Sequence, residues 1–370
     1  MWALQTLWHE RKRYWAGVMA VAFSVVLIAV QNGLVAGLMQ MVSFPIDLSR
    51  ADVWVTGPKV QSCDLGSLFD RGAINRIIGR PQVERIDEYI QGFNFWKHPA
   101  VGQKLVIVAG CELDEKALGP INMLSSSLRK RLSEPGTIVI NEKDKTKLGI
   151  VREGDAATIN GFRVRVVGFA ESTASFTGPY ILCSLRTARE LLALEPDKTY
   201  YLLVKCKPDA DARRLALDIA TDPRVAAHVA SDFSRQSRWY WIRTTNAGIA
   251  MAFVGLLGLV IGAVITSQTL YGATVASLRE LMVLRALGIP RLRIARYVLA
   301  QAFFVGLTGV GVGIPISFLV ARLGEAIGTK PVIDALLLAG TAVVAMATAA
   351  FAGLVALRSL RSVEPVQLLR

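Results

Sequence analysis

The chain has 370 residues, 52% of them hydrophobic and only 19% charged, yet its formal net charge is +13. That hydrophobicity excludes intrinsic disorder, and the segregation of charge excludes a single soluble domain: residues 46–243 hold 29 Lys+Arg and 24 Asp+Glu, whereas the other 172 residues hold 13 basic and 5 acidic side chains. Eight of the thirteen net charges lie in the apolar part, which argues against nucleic acid as the partner of this basic protein.

Residues 1–14 are basic, with Arg11, Lys12 and Arg13 at their end, and the 33 residues from Tyr14 to Ile46 carry no charge. Further uncharged runs cover 35 residues from Thr244 to Leu278, 25 from Tyr297 to Ala321 and 23 from Ala335 to Leu357. Each exceeds the roughly 20 residues that a helix rising 1.5 Å per residue needs to cross a bilayer. The runs predict transmembrane helices over 15–44, 244–278, 297–321 and 335–357. A signal peptide is the alternative for the first, but its apolar run is about twice the usual length and no clear small-residue cleavage site closes it. Short basic segments stay cytoplasmic. Arg279, Arg285, Arg291, Arg293 and Arg296 in loop 279–296, and Arg358, Arg361 and Arg370 in tail 358–370, therefore place both termini inside. Loop 322–334 and the large segment 45–243 are expected outside. Trp239, Tyr240 and Trp241 sit where an aromatic belt is expected. Small residues at four-residue spacing, Gly33 and Gly37, Gly258 and Gly262, Gly309 and Gly313, are candidates for close helix packing. No ionisable residue lies deep in a span, so a proton relay is not indicated.

The 45–243 segment reads as an α/β domain. Strands are expected at 51–55, 104–109 and 137–140, helical periodicity at 68–78, and a hairpin at 156–159 and 162–167 around Asn160-Gly161. The run 180–183, 187–194, 200–205 and 210–220 then reads strand, helix, strand, helix. A β-rich insert is expected over about 111–178. Cys63, Cys111, Cys183 and Cys206 all fall on the oxidising side, so disulfides are open in any of three pairings, against the alternative of buried reduced thiols. His9, His98 and His228 have no metal-ligand spacing, no GxSxG elbow is present, and no Gly-Lys pair supports a phosphate loop, so catalysis and ATP binding are not expected of this chain.

The loop after the second predicted span reads Leu278-Arg-Glu-Leu-Met-Val-Leu-Arg-Ala-Leu-Gly288, followed by Pro290. Its helical spacing, glycine stop and proline restart make a short basic helix and a turn. A lipid-surface anchor would need the charge but not this order.

With this loop the chain resembles the FtsX-like/MacB-type permeases of ABC transporters, and within them the DevC-like permeases that lack a fused ATPase. Supporting matches are Leu7-Trp-His-Glu-Arg-Lys-Arg13, Tyr240-Trp-Ile-Arg-Thr-Thr245, Gly262-Ala-Val-Ile-Thr-Ser-Gln-Thr-Leu-Tyr271 and Val363-Glu-Pro-Val-Gln-Leu-Leu369. Glu364 stands where many relatives carry Asp. The resemblance implies an α-helical membrane protein with four transmembrane helices in 1+3 order and an α/β extracytoplasmic domain of Porter/Sabre type. It implies a second copy of this permease, two copies of a separate ATPase subunit that binds ATP and Mg, a periplasmic membrane-fusion adaptor and an outer-membrane channel. Arg279, Glu280, Leu281, Leu284, Arg285, Gly288 and Pro290 carry over as the ATPase-coupling loop. An exporter working by mechanotransmission in the bacterial inner membrane is the leading expectation. The alternatives are a signal transducer that activates an external cell-wall hydrolase and a permease for lipoprotein release.

Overall fold

The computed structural model describes residues 11–170, 178–244, 246–276, 290–326 and 331–360. They fall into two compact units, Met39–Thr244 and a second made of 1–38 and 245–370. Helix α1 (Arg11–Asp47) contributes its last nine residues to the first of these.

Unit 39–244 is built on one sheet. In chain order it holds β1 (Val53–Thr56), β2 (Phe69–Asp70), α2 (Ala73–Ile78), β3 (Val83–His98), β4 (Gly102–Cys111), α3 (Ser126–Arg131), β5 (Thr137–Asn141), α4 (Lys145–Leu148), β6 (Ala156–Ile159), β7 (Phe162–Ala170), β8 (Tyr180–Ser184), α5 (Leu185–Leu191), β9 (Lys198–Thr199), β10 (Tyr201–Cys206), α6 (Ala212–Ile219), β11 (Ala226–Val229) and α7 (Ala230–Thr244). The strand order is β11-β1-β10-β3-β4-β8-β5-β7-β6, and β6 pairs again with β3 through Trp96 opposite Ile159. That last pairing closes six strands into a ring. β3 serves both parts: Val83 to Tyr89 pair with β10, and Trp96 and Lys97 with β6. The period-2 alternation of strands sends Ile90, Trp96, Val106 and Val108 into the ring, where they meet Ile138 and Val166, while Tyr89, Ile107 and Ala109 face the opposite core. A third core lies between β1, β10, α2 and α6, where Val53, Leu202 and Val204 meet Ile77, Leu215 and Ile219.

The expected hairpin is present, with Asn160 at φ 49° and Gly161 at φ 83°, the left-handed pair that a two-residue turn requires. One expectation changes. The helix expected over 68–78 is β2 followed by the shorter α2, because Phe69 pairs with Thr199 of β9. The β-rich stretch expected over about 111–178 holds β5, β6 and β7, which close a ring with β3, β4 and β8.

The four cysteines are free thiols, all buried. The sequence left disulfides open; in this structure the thiols serve as small apolar groups in the cores. Cys63 and Cys111 belong to one, Cys183 to the ring interior and Cys206 to the third. Burial pushes the Cys63, Cys183 and Cys206 thiols up, with Asp64 and Asp47 adding to the effect on Cys63, and Asp52 to that on Cys206. Maleimide is therefore expected to label none of them in the folded chain at neutral pH and all four after denaturation, as read by intact mass. Labelling of native protein, or thiols missing after denaturation without reductant, would contradict this arrangement.

His228 of β11 stacks on Phe233 at 5.0 Å, and its buried Nε2 has no hydrogen-bond partner among the described residues. Burial lowers its pKa from 6.5, against a smaller opposing effect of Asp232. The unfolded chain thus takes up a proton that the folded one resists. Stability from this group is complete above about pH 6.5 and falls as pH drops toward the lower folded value. Wild type should lose more thermal stability than His228→Phe between about pH 7 and pH 5; equal losses would assign the acid sensitivity elsewhere.

In the other unit, α8 (Asn246–Ala276) is a continuous helix of 31 residues, followed by α9 (Arg291–Ala326) and α10 (Ala335–Leu360). Among the described residues, three helices are long and apolar enough to cross a membrane: Trp15–Asp47 in α1, Leu299–Gly324 in α9 and Ala335–Leu354 in α10. α8 occupies the remaining uncharged run.

Candidate functional site

The 39–244 unit is entered through the end of α1 and left through α7. Both helices carry polar residues four positions apart, which places each pair on one face. Asp47 Oδ2 accepts from Ser43 Oγ at 2.6 Å and from Arg238 Nη2 at 2.6 Å, and its Oδ1 accepts from Ser234 Oγ at 2.7 Å. Arg238 Nε donates to Ser43 Oγ at 2.8 Å. The pairing of 43 with 238 and 47 with 234 makes the two helices antiparallel here. A single carboxylate thus binds the entry of the domain to its exit.

Helix α7 is also tied to the segment before β2. Gln236 Nε2 donates to the carbonyls of Val60 and Gln61, Ser237 Oγ accepts from Cys63 N at 3.1 Å, and Trp241 Nε1 donates to Asp64 Oδ1 at 3.0 Å. On the opposite side Tyr201 OH donates to the Cys63 carbonyl at 2.6 Å. Below them Trp54 meets Tyr89, Tyr201 and Phe233 at ring separations of 5.6, 5.5 and 5.9 Å. Its Nε1 donates to Ser49 Oγ, just after α1. The junction is polar where the helices meet and aromatic where they rest on the sheet.

A buried carboxylate, unlike the exposed Asp47, holds the sheet itself. Glu88 of β3 lies between Arg71 at 3.2 Å and Arg189 of α5, and Arg189 Nη1 also donates to the carbonyls of Glu195 and Lys198. Asp87 takes Leu118 N at 2.7 Å and Arg85 Nε at 2.5 Å. Arg85 in turn grips Asp114, whose carboxyl it holds below the usual carboxylate range. These acids are spent on cations and backbone amides. Among the described residues, no group of three or more His, Cys, Asp or Glu could hold a metal ion.

Of the sequence-predicted coupling residues, Arg279, Glu280, Leu281, Leu284, Arg285 and Gly288 lie outside the described residues. Pro290 is described, exposed, and immediately precedes α9. The packing glycines are mostly within one chain. A Cβ at Gly309 would stand 2.6 Å from Val21 Cβ, and one at Gly313 would stand 2.7 Å from Val25 Cβ, so these two let α9 approach α1. Gly258 of α8 packs on Leu27, and its carbonyl accepts from Ser24 Oγ at 3.3 Å. Gly33 lies against Val332, whose amide donates to the Gly33 carbonyl. Gly37 is buried, and the surroundings of Gly262 lie outside the described residues.

Sequence reasoning missed Asp47, Ser43, Ser234 and Arg238. Their signal was present as two i,i+4 polar pairs flanking the domain. It also missed Gly306 and Gly353, which let α9 and α10 approach through Ala349 and Ala302.

The profile of the MacB-like periplasmic core domain matches residues 18–221, and that of the FtsX-like permease C-terminal domain matches residues 252–365. Among solved structures, the periplasmic region of MacB from Actinobacillus actinomycetemcomitans is similar at 10% identity and a TM-score of 0.36, over 51% of this chain and 94% of that one. The extracellular domain of the noncanonic ABC-type transporter YknZ from Gram-positive bacteria is similar at 11% identity and a TM-score of 0.33, over 48% and 98%. No curated protein matches the sequence.

Proposed function

Because the chain belongs to the FtsX/MacB-like family of ABC-transporter permeases, we propose that it is the permease subunit of an exporter that uses ATP hydrolysed by a separate ATPase to move its extracytoplasmic domain. In this reading α1, α8, α9 and α10 are four transmembrane helices, both termini are cytoplasmic, and two copies of the chain pair with two ATPase subunits that bind ATP and Mg. The domain meets a periplasmic adaptor that leads to an outer-membrane channel, as in DevC-like systems. The observation that supports mechanical transmission is the Asp47 junction: Ser43, Ser234 and Arg238 make the ends of α1 and α7 one clamped pair, so displacement of either reaches the sheet through Trp54 and Phe233. The 278–288 loop supplies the ATPase contact, with Glu280 and Arg285 facing the partner.

Gly288→Val removes the residue best able to end the loop helix in a left-handed conformation. In the full chain co-expressed with its ATPase, this variant should insert normally and lose permease-dependent ATP hydrolysis. Wild-type hydrolysis by the variant would overturn the coupling role. Affinity capture of the intact complex separates the outer partners: an adaptor supports export, whereas a cell-wall hydrolase supports signal transduction.

A further inference from the structure

The outer face of the ring joins apolar and cationic side chains in one surface. In β3 the alternation that turns Trp96 inward turns Phe93, Phe95 and Lys97 outward. The unbroken register with β4 sets Phe95 opposite Leu105 and Lys97 opposite Gln103. The second of these rows continues across two more strands, because Lys97 pairs with Thr158 of β6 and Thr158 with Arg163 of β7. Side chains directly opposite on antiparallel strands stand about 5 Å apart at Cβ, so the four strands bring these residues together. Phe93, Phe95 and Leu105 are 38, 50 and 42% exposed there.

The two cations of this face differ from their neighbours in having no acid. Arg131, Lys145, Lys147, Arg152 and Arg165, on the strands and connections of the ring, each hold a carboxylate at 2.5 to 3.7 Å. Lys97 and Arg163 form no ion pair among the described residues. Lys97, Gln103 and Thr158 also line an open recess of about 420 Å³. Aromatic and aliphatic area bordered by uncompensated charge is the composition of a protein interface, in which the apolar centre is desolvated and the rim charges meet opposite ones. The recess separates a protein from a lipid surface as the occupant. A plane of headgroups would meet the two cations and leave the recess unfilled, whereas a protein edge can set a carboxylate into it and cover the phenylalanines with the next side chain. We propose that Phe93, Phe95 and Leu105, with Lys97 and Arg163, dock an outer protein partner by an edge that carries an apolar side chain and two carboxylates. The docking rests on the permease reading only in needing such a partner, whether adaptor or hydrolase.

The test uses the full chain in its native host, with the photo-cross-linker p-benzoylphenylalanine in place of Phe95 or, separately, of Leu105. Leu217 is the control position, 69% exposed on α6, whose Leu215 and Ile219 pack against the opposite face of the sheet. Irradiation should join the partner to positions 95 and 105 and not to 217, and the joined segment, identified by mass, should carry Asp or Glu beside an apolar residue. Lys97→Glu with Arg163→Glu should lower that yield roughly tenfold, and replacing the partner's acids by lysine should restore it. The milder Lys97→Gln with Arg163→Gln gives the same loss should the reversal misfold. A surface that is merely adhesive would not follow the sign of the charge, so a yield that ignores the reversal, or that the exchange fails to restore, overturns the proposal. Cross-links to lipid or to a second copy of the chain overturn it as well. A partner that co-purifies with the wild-type chain yet cross-links at neither 95 nor 105 overturns the docking face and leaves the permease reading standing. Absence of any co-purifying outer protein refutes that reading, and the docking with it.

Discussion

Trp54→Ala should destabilise the 39–244 unit by about 3–5 kcal/mol, the range for truncating a fully buried aromatic. Trp54 is 0% exposed in the middle of β1, and nothing adjacent can collapse into the space: Tyr89 and Tyr201 are held by their own strands, and Phe233 by α7. The loss combines transfer of a large apolar side chain with the cavity it leaves, and it orphans Ser49 as an acceptor for Nε1. For a domain of roughly 200 residues, each kcal/mol moves the midpoint by about 2–4 °C, so the transition should fall by about 6–20 °C. Trp54→Phe keeps most of the volume and should recover much of that fall. Thermal unfolding of the full chain in detergent, followed by far-UV circular dichroism, reads both variants; a shift below about 2 °C for alanine would mean that the aromatic cluster does not anchor the sheet.

Gly309→Leu and Gly313→Leu are expected to separate α1 from α9. At Gly313 an added Cβ would meet not only Val25 but the Ala22 carbonyl at 2.9 Å, and at Gly309 the Val18 carbonyl at 3.1 Å, so side-chain rotation cannot relieve the clash. Overpacking of this kind costs about 1–3 kcal/mol at each position, and the helices have only van der Waals packing and few hydrogen bonds to resist it. Both variants should show a lower midpoint of heat-induced aggregation in detergent, and the double variant a larger drop. Gly311→Leu is the control, since a Cβ there meets nothing within 4 Å. Equal behaviour of all three would show that the α1–α9 approach carries no stability.

Much of the architecture was legible because charge and periodicity report it directly. Uncharged runs located α1, α9 and α10, and Asn160-Gly161 located its hairpin, since only a few residues tolerate two successive left-handed positions. β3 was not legible. Its buried residues include Asp87, Glu88 and Gln91, which break the apolar alternation and become reasonable strand residues only once Arg85, Arg71 and Arg189 are in place. The ring was hidden for the same reason, because its closure depends on the far half of β3. The junction at Asp47 was legible only as two i,i+4 polar pairs, and their pairing was not, because nearly the whole domain separates them. The coupling loop presents the reverse case: its residues were conspicuous in sequence, and of those seven positions the structure describes Pro290 alone.

The sheet order has a consequence for how the domain is made. β1 emerges first, yet both its neighbours, β10 and β11, are the last strands of the domain, with Val53 opposite Val204 and Val229. β4 likewise waits for β8, which reaches it in parallel only after β5, β6 and β7. Pairing over such separations is slow, because loop closure precedes any gain from contact. As the chain emerges, one edge of β1 stays open until residue 206 has appeared and the other until residue 229. Completion of the sheet around β1 is therefore tied to the last strands of the domain to be made.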